Sequence, residues 1–278
     1  MREPTFQYLT NLVRRHTGMV YPRERTAYMT QALRPLVDRL EAGTVDGLVE
    51  HLRQTPSMAL VSTVVSALTV GETYFYRDAH VFSYLETRLL PQLLRRPRLP
   101  AIWSAACSSG QEAYSVALAL ASANRQHPLP RIILASDVDQ AAVGRAREGV
   151  YTQFETSRGL SGFHRARWFR KDGDGHQRVR SELRDMIDFK VLSLCSSPLL
   201  ISGSGLVDPR YPPVFDVILV RNVLIYMELE DRARVLEEVA RYLAPDGTML
   251  LGAAELLPPG THGLRTVMEE GVTLIRKG

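Results

Sequence analysis

The fold is decided at residues 101–123, which read AIWSAACSSGQEAYSVALALASA. The first five residues form a short apolar run that is typical of a buried strand, and residues 111–123 repeat apolar side chains at helical spacing. The residues between them are small and favour a tight turn that ends at Gly110. Because strands alternating with helices build parallel sheets, we expect an α/β fold whose sheet is covered by helices on both faces.

The same alternation continues to the C-terminus. Further strands are predicted at residues 131–136, 189–192, 215–220, 248–252 and 272–275, and further helices at residues 140–148 and 230–243. Residues 151–188 interrupt the alternation with aromatic and basic side chains and with the glycine-rich turn at residues 171–175. This segment is too long for a plain loop and predicts a small inserted subdomain that contains a hairpin.

The residues before 101 predict helices instead of strands. Apolar side chains recur at helical spacing from Phe6 onward, and Gly18 is expected to end the first helix. Asp46, Ser57 and Asp78 are expected to begin later helices. We therefore divide the chain into a helical N-terminal domain (residues 1–70), a linker and helix (71–100) and an α/β domain (101–278).

Composition excludes several classes of protein. Of the 278 residues, 45% are hydrophobic and 23% are charged, which excludes a disordered chain and a fibrous repeat. The two cysteines, Cys107 and Cys195, are too few for a disulfide scaffold or a cysteine-based zinc site. No apolar run approaches the roughly 18 to 20 residues that a membrane span needs, and the first residues do not resemble a signal peptide. We expect a cytoplasmic protein without membrane insertion.

The net charge of +4 is unevenly distributed. Residues 1–98 carry 13 arginines against nine acidic residues, whereas the rest of the chain is balanced. A basic first third is compatible with an acidic partner, either nucleic acid, an acidic protein surface or a membrane. A solvated helical face explains the same excess.

Polar side chains follow the predicted strands, at the edge of the sheet where ligands bind in folds of this class. Glu112 lies in the first turn of the helix after the first strand, although a tight turn without a ligand explains that arrangement equally well. Asp137 and Asp139 follow the second strand; we assign Asp139 to capping the next helix and Asp137 to ribose hydroxyls.

The fourth strand and the linker carry two further polar stretches. Arg221, Asn222 and Tyr226 follow the fourth strand, and an arginine–acid pair that holds two loops is an alternative for the first of them. Residues 69–78 are unusually rich in aromatic side chains for a linker, which is also compatible with a packing element between domains.

Four stretches together resemble the bacterial chemotaxis receptor methyltransferases, the CheR-type enzymes. They are residues 69–78, 103–115, 136–139 and 215–226, which read TVGETYFYRD, WSAACSSGQEAYS, SDVD and FDVILVRNVLIY. The resemblance covers essentially the whole chain. It implies a Rossmann-like class I methyltransferase sheet, S-adenosylmethionine as cofactor with S-adenosylhomocysteine as product, and glutamates of the cytoplasmic domain of chemoreceptors as substrate. A monomer without a nucleic-acid partner is expected.

The resemblance also implies site residues. Those implied to bind the cofactor are Gly71, Thr73, Arg77, Glu112, Asp137, Ser193, Leu194, Arg221 and Asn222. Within this set the resemblance places Thr73 and Arg77 at the methionine part of the cofactor and Asp137 at the ribose. It places Ser193 and Leu194 in the segment beside the adenine, and Arg221 and Asn222 near the sulfonium. Tyr226 and Arg77 are the implied catalytic residues. A glutamate carboxylate is ionised at neutral pH and is itself the nucleophile, so no general base is required.

The sequence departs from the family pattern at four positions. Gly71 and Ser193 stand where asparagine is usual, and Gln111 and Ala113 change the usual Gly-Glu-Glu-Pro-Tyr run. Each replacement removes or shortens a polar contact, which leaves one alternative open: a non-catalytic module that binds S-adenosylmethionine or S-adenosylhomocysteine in signalling. A second alternative, based on the basic first third, is a methyltransferase that acts on another acceptor such as nucleic acid.

Overall fold

The computed structural model describes residues 1–55, 57–124, 132–173, 175–195 and 214–278. Within them the helices are α1 (Glu3–Thr17), α2 (Thr26–Arg39), α3 (Val45–Gln54), α4 (Met58–Leu68), α5 (Ala79–Tyr84), α6 (Leu90–Leu94), α7 (Gln111–Ala123), α8 (Gln140–Glu148), α9 (Gln153–Ser157), α10 (Gly162–Trp168), α11 (Ser181–Arg184) and α12 (Leu229–Ala240). The strands are β1 (Ile102–Ala105), β2 (Ile133–Asp137), β3 (Val150–Thr152), β4 (Phe169–Lys171), β5 (His176–Val179), β6 (Ile187–Val191), β7 (Phe215–Val220), β8 (Leu243–Leu251), β9 (Leu264–Glu269) and β10 (Val272–Lys277). A π-helical turn (Leu85–Leu89) joins α5 to α6, and short 3₁₀ turns cover Arg23–Arg25 and Leu224–Tyr226.

Helices α1 to α4 bury their apolar faces against one another. Leu9, Leu33, Leu48 and Val64 come from the four helices in turn, and all four side chains are inaccessible to solvent. Gly18 ends α1 as predicted, because it adopts a φ of 72° and donates its N–H to the carbonyl of Arg14 at 2.8 Å.

Two of the three predicted helix starts are confirmed. Ser57 caps α4 and Asp78 precedes α5, but the assignment of Asp46 is wrong. Thr44 caps α3 instead, because its hydroxyl accepts the N–H of Gly47 at 3.1 Å. Asp46 lies two residues later, in the first turn of α3, and accepts the N–H of Arg2 at 3.0 Å. Its carboxylate therefore satisfies the start of α1 rather than that of its own helix.

A seven-stranded sheet forms the second part of the chain, and it confirms the α/β fold. The strand order is β6-β2-β1-β7-β8-β10-β9, with parallel pairing from β6 to β8 and antiparallel pairing of β10 with both of its neighbours. The chain leaves β1 toward β2 and β6, and then returns to the other side of β1 at β7. The loops after β1 and β7 therefore separate at the switch point, where ligands bind in sheets of this class.

Several predicted boundaries of secondary structure near the C-terminus are wrong. The helix predicted over residues 230–243 ends at Ala240, and β8 begins at Leu243 instead of residue 248. The four residues after Leu243 lie opposite a single residue of β7, Asp216, and therefore bulge out of the ladder. They are of types typical of turns, although they lie inside a strand. The edge strand β9 is too polar to be predicted. Residue 131, the predicted start of β2, lies outside the described residues.

The segment between α8 and β6 contains a small antiparallel sheet of order β3-β5-β4. Strands β4 and β5 form the predicted hairpin, and β3 adds a third strand. Residue 174 of the hairpin turn lies outside the described residues. The buried Tyr151 of β3 donates its hydroxyl hydrogen to the carbonyl of Ser109 at 2.6 Å, which ties this sheet to the loop after β1. Among the described residues, no helix combines the length and the apolar character needed to cross a bilayer.

Candidate functional site

A cleft of about 830 Å³ lies beyond the ends of the parallel strands. The lining residues are His16, Thr17 and Met19 from the N-terminal region; Thr69 to Tyr74, Arg77 and Phe82 from the linker and α5; Ala106, Ser108 and Glu112 after β1; Asp137 and Val138 at the end of β2; Leu192 and Leu194 after β6; and Arg221 to Val223, Tyr226 and Met227 after β7.

The loop after β1 passes close to the neighbouring helix. Gly110 adopts a φ of 94°, and a Cβ at this position would lie 2.8 Å from the Cβ of Ala146 on α8. Glycine is therefore required here for steric as well as conformational reasons. The close approach brings the N–H of Ser108 to the carboxylate of Asp137, which accepts it at 2.7 Å.

Asp137 is held rigidly at the cleft. Its second carboxylate oxygen accepts the N–H of Asp139 at 2.9 Å, and the side chain is buried. Burial raises the pKa of Asp137 above its ordinary value, although the backbone N–H groups that it accepts oppose the shift. Asp139 caps α8 by accepting the N–H groups of Ala141 and Ala142, at 2.9 and 3.2 Å. The two carboxylates thus occupy different positions: only that of Asp137 lines the cleft.

Arg221 is buried and joins two loops of the cleft wall. Its guanidinium donates to the carboxylate of Glu112 at 2.8 Å, to that of Asp78 at 2.8 Å and to the carbonyl of Arg77 at 2.7 Å. This is the arginine–acid pairing that the sequence left as an alternative. Burial raises the pKa of Glu112, and the neighbouring Arg221 opposes that shift. The terminal nitrogens of Arg221 are therefore engaged within the chain, and the residue shapes the wall of the cleft.

The linker places three of the implied residues along one side of the cleft. Thr73 lines it without a hydrogen bond from its side chain to the described residues. Arg77 donates to the carbonyl of Glu72 at 2.8 Å and forms no ion pair within the described residues. Gly71 accepts the hydroxyl hydrogen of Ser108 at its carbonyl, at 2.9 Å, and its φ is not in the left-handed region.

The structure brings Leu194 to the cleft but not Ser193. Leu192 and Leu194 line the cleft, whereas Ser193 between them faces α1, as alternate residues of an extended segment do. The Ser193 hydroxyl donates to the carbonyl of His16 at 2.5 Å and accepts the N–H of Cys195 at 3.1 Å. Both contacts hold the segment against the end of α1, so the Ser193 hydroxyl is engaged away from the cleft lining.

Two other departures from the family pattern also lie away from the cleft. Gln111 is buried and accepts the hydroxyl hydrogen of Ser109 at 2.8 Å, and Ala113 is buried on α7. Neither residue lines the cleft. Of the four departures, Gly71 alone changes a side chain at the cleft surface.

The loop after β7 is held by a carboxylate that the sequence reasoning did not identify. One oxygen of Glu255 accepts the N–H groups of Asn222 and Gly252, at 2.7 and 2.8 Å. The other accepts those of Leu224 and Ile225, at 2.7 and 3.2 Å. Glu255 is buried in the loop after β8, and its position after a strand was the available signal.

The loop held by Glu255 carries both Asn222 and Tyr226 to the cleft. Tyr226 is half-buried, and its hydroxyl makes no hydrogen bond within the described residues. The cleft residues His16, Thr17 and Met19 were also missed. They lie at the end of an ordinary amphipathic helix or just after it, and nothing in their spacing indicates a ligand.

Backbone strain is concentrated around the cleft. Seven residues other than glycine have a positive φ within the described parts of the chain, and such residues are uncommon. Three of them line the cleft and two flank Arg77; the five are Tyr76, Asp78, Ala106, Ser108 and Asn222. Strain of this kind persists only where the surroundings enforce it, and it gathers at functional sites.

Comparison with known proteins gives consistent matches. Residues 71–272 match the family described as CheR methyltransferase, SAM binding domain. A chemotaxis protein methyltransferase of Vibrio parahaemolyticus is 33% identical over 243 residues, which cover 86% of this chain and 84% of that protein. Chemotaxis protein methyltransferase 1 of Vibrio cholerae is 32% identical with the same coverage. Chemotaxis protein methyltransferase 1 of Pseudomonas aeruginosa is 30% identical over 260 residues, 91% of this chain and 90% of that protein.

Proposed function

Because this chain belongs to the CheR methyltransferase family, we propose that it transfers methyl groups from S-adenosylmethionine to glutamate side chains of chemoreceptors. The observation that supports this most directly is the cleft, whose lining residues from Gly71 to Met227 all fall within the matched range. The proposed acceptor is the cytoplasmic domain of a receptor. We also propose that residues 1–70 and 101–278 act as two domains, since the buried side chains of α1 to α4 form a separate core.

The side chains that line the cleft suit the chemistry of S-adenosylmethionine. We assign Asp137 to the ribose hydroxyls, because its rigid carboxylate is the acceptor that vicinal hydroxyls need. Leu192 and Leu194 offer an apolar surface to the adenine. We assign Thr73 and Arg77 to the methionine part, because the Arg77 guanidinium is free of ion pairs within the described residues and suits a carboxylate.

The remaining assigned residues shape the centre of the cleft. Glu112 and Asp78 both pair with the buried Arg221, each at 2.8 Å, so the single positive charge of Arg221 faces two carboxylates there. Asn222 is fixed by the contact between its N–H and Glu255. Tyr226 lines the cleft, and its hydroxyl has no hydrogen-bond partner among the described residues; we assign this hydroxyl to orienting the incoming carboxylate.

The bound cofactor supplies an activated methyl group on a positively charged sulfur. The acceptor glutamate is ionised at neutral pH, so no residue of the chain needs to remove a proton. The chain instead has to hold the acceptor in line and to exclude water while opposite charges neutralise. We assign the first task to Tyr226, which lines the cleft, and the second to the buried wall around Arg221.

Methyl transfer from labelled S-adenosylmethionine to a chemoreceptor cytoplasmic fragment tests the proposal directly. We expect Tyr226→Phe to lower turnover while leaving the affinity for S-adenosylhomocysteine almost unchanged, since the hydroxyl acts mainly in the transition state. We expect Asp137→Ala to weaken that affinity about tenfold or more, which corresponds to roughly 1.5–3 kcal/mol for a hydrogen bond to a charged group.

Calorimetric titration with S-adenosylhomocysteine separates the enzyme from a binding module. Tight binding without any methyl transfer to receptor fragments would show that the chain is a non-catalytic module. Wild-type affinity in Asp137→Ala would remove the ribose assignment and leave the methyl-transfer proposal intact.

A further inference from the structure

A second groove adjoins the candidate site on the far side of Tyr226. It has a volume of about 880 Å³ and runs between the segment after α1 and the start of α12. The groove shares Met19, Val70, Tyr226 and Met227 with the cofactor cleft. These four residues therefore form a wall with a cavity on each side.

The wall is built from two chain segments that are hydrogen-bonded to each other. Met19 and Met227 form an isolated antiparallel bridge, and the N–H of Val20 donates to the carbonyl of Tyr226 at 2.9 Å. This backbone pairing fixes the position of Tyr226 relative to both cavities. A group lying in the groove is therefore adjacent to the cofactor cleft, across the shared Tyr226 side chain.

The charged side chains of the groove favour an anionic occupant. Arg25 and Arg232 both line it, and the one carboxylate among its lining residues belongs to Glu228. Arg232 donates its Nε hydrogen to the carbonyl of Met227 at 2.8 Å, which fixes the guanidinium and leaves its terminal nitrogens free of ion pairs with the described residues. Arg25 stacks on the ring of Tyr28 at 5.9 Å and likewise pairs with no carboxylate of the described residues.

We propose that this groove binds the acidic segment of the protein acceptor that flanks the methylated glutamate, with Arg232 receiving a neighbouring carboxylate. The inference rests on the proposed function and adds the path of the acceptor to it. Apolar residues, including the partly exposed Ile225, provide contact area for the segment, and the arginines provide charge complementarity. Glu228 opposes an acidic occupant and so limits its affinity.

Two substitutions with opposite expected effects test the groove. Arg232→Gln should raise the KM for a glutamate-rich chemoreceptor cytoplasmic fragment about twofold to fivefold, as expected for a partly exposed ion pair. Glu228→Gln should lower the same KM, because it removes a repulsive charge; Glu228 makes no capping hydrogen bond with its side chain, so α12 keeps its start. Neither change should alter the affinity for S-adenosylhomocysteine.

Arg234→Gln is the matched control. Arg234 lies on the same helix and has the same charge, but it pairs with Asp231 at 2.7 Å and does not line the groove. Its KM should equal that of the wild type. The effect of Arg232→Gln should shrink as salt is raised, and it should disappear with a fragment whose glutamates beside the acceptor are replaced by glutamine.

Binding of a fluorescently labelled fragment, measured by anisotropy, separates failure of the groove from failure of the proposed function. A wild-type protein that binds the fragment but transfers no methyl group would refute the function. Equal fragment affinity in Arg232→Gln and the wild type would refute the groove, as would an equal loss in Arg234→Gln or weaker binding in Glu228→Gln.

Discussion

Replacing Glu255 should disturb the candidate site without removing any group that lines it. The Glu255 carboxylate accepts four backbone N–H groups at 2.7 to 3.2 Å, three of them from the loop that carries Asn222 and Tyr226. Glu255→Gln keeps the shape of the side chain. Whichever way the amide is turned, however, its NH₂ group faces two backbone donors, so two of the four hydrogen bonds are lost.

The expected loss of stability follows from that count. A hydrogen bond to a charged group contributes roughly 1.5–3 kcal/mol, so two such bonds correspond to about 3–6 kcal/mol in a loop that does not move. The loop after β7 can relax toward solvent, and we therefore expect a loss near the lower end, about 3 kcal/mol. The same relaxation displaces Tyr226, so turnover should fall even where the variant is fully folded.

Urea unfolding followed by circular dichroism measures the first effect, and methyl transfer at saturating substrate measures the second. Glu237→Gln is the control, because its carboxylate accepts a single exposed N–H, that of His262 at 2.9 Å. A surface substitution of this kind should stay within about 0.5 kcal/mol of the wild type. Wild-type stability together with wild-type turnover in Glu255→Gln would show that the carboxylate does not hold the loop.

Three further predictions concern single residues. Burial raises the pKa of Asp137 above that of an ordinary aspartate (about 3.9), and the protonated carboxyl loses an acceptor. On acidification, the affinity for S-adenosylhomocysteine should therefore begin to fall at a higher pH than an ordinary aspartate would give. Calorimetry across pH measures this dependence, and Asp137→Asn should abolish it. Gly71→Asn should tighten that affinity, since Gly71 has no positive φ and its new Cβ needs only a small shift of the Ser108 hydroxyl, 3.1 Å away; weaker binding by a folded variant would contradict this. Burial raises the pKa of Cys195 to about 11 and also raises the pKa of Cys107. Both thiols should therefore react slowly with a disulfide reagent at pH 8 in the native protein and rapidly in urea. Fast reaction of the native protein would show an exposed thiolate.

Local patterns predicted the central sheet well because the signals there are strong. The strand over residues 215–220 and the helix over residues 111–123 have the predicted bounds, since each is a continuous apolar pattern that ends at small or polar residues. The start of β8 was missed because its pairing with β7 tolerates a bulge of turn residues opposite Asp216. Only tertiary contacts stabilise such a strand, and no local pattern records them.

The residues of the candidate site likewise divide into those that local sequence predicts and those that only tertiary contacts locate. Asp137 and Tyr226 were found because polar residues after a buried strand must lie at the edge of the sheet where the cleft forms. Ser193 was placed at the cleft, but one step along an extended segment reverses the direction of a side chain, and its hydroxyl reaches His16 instead. The position of His16 depends on how α1 packs against that segment, so its role required the tertiary structure.

The basic first third of the chain shows why net charge alone does not locate a binding surface. Arg14 donates both Nε and Nη2 hydrogens to the carboxylate of Asp231 on α12, at 3.1 and 3.0 Å, so its charge is compensated within the chain. Arg96 and Arg98 likewise pair with the buried Asp216 at the base of the sheet. The positive charge available to an acidic acceptor therefore depends on which arginines lack a carboxylate partner. Of the two arginines that line the groove beside Tyr226, one, Arg232, lies outside the basic first third.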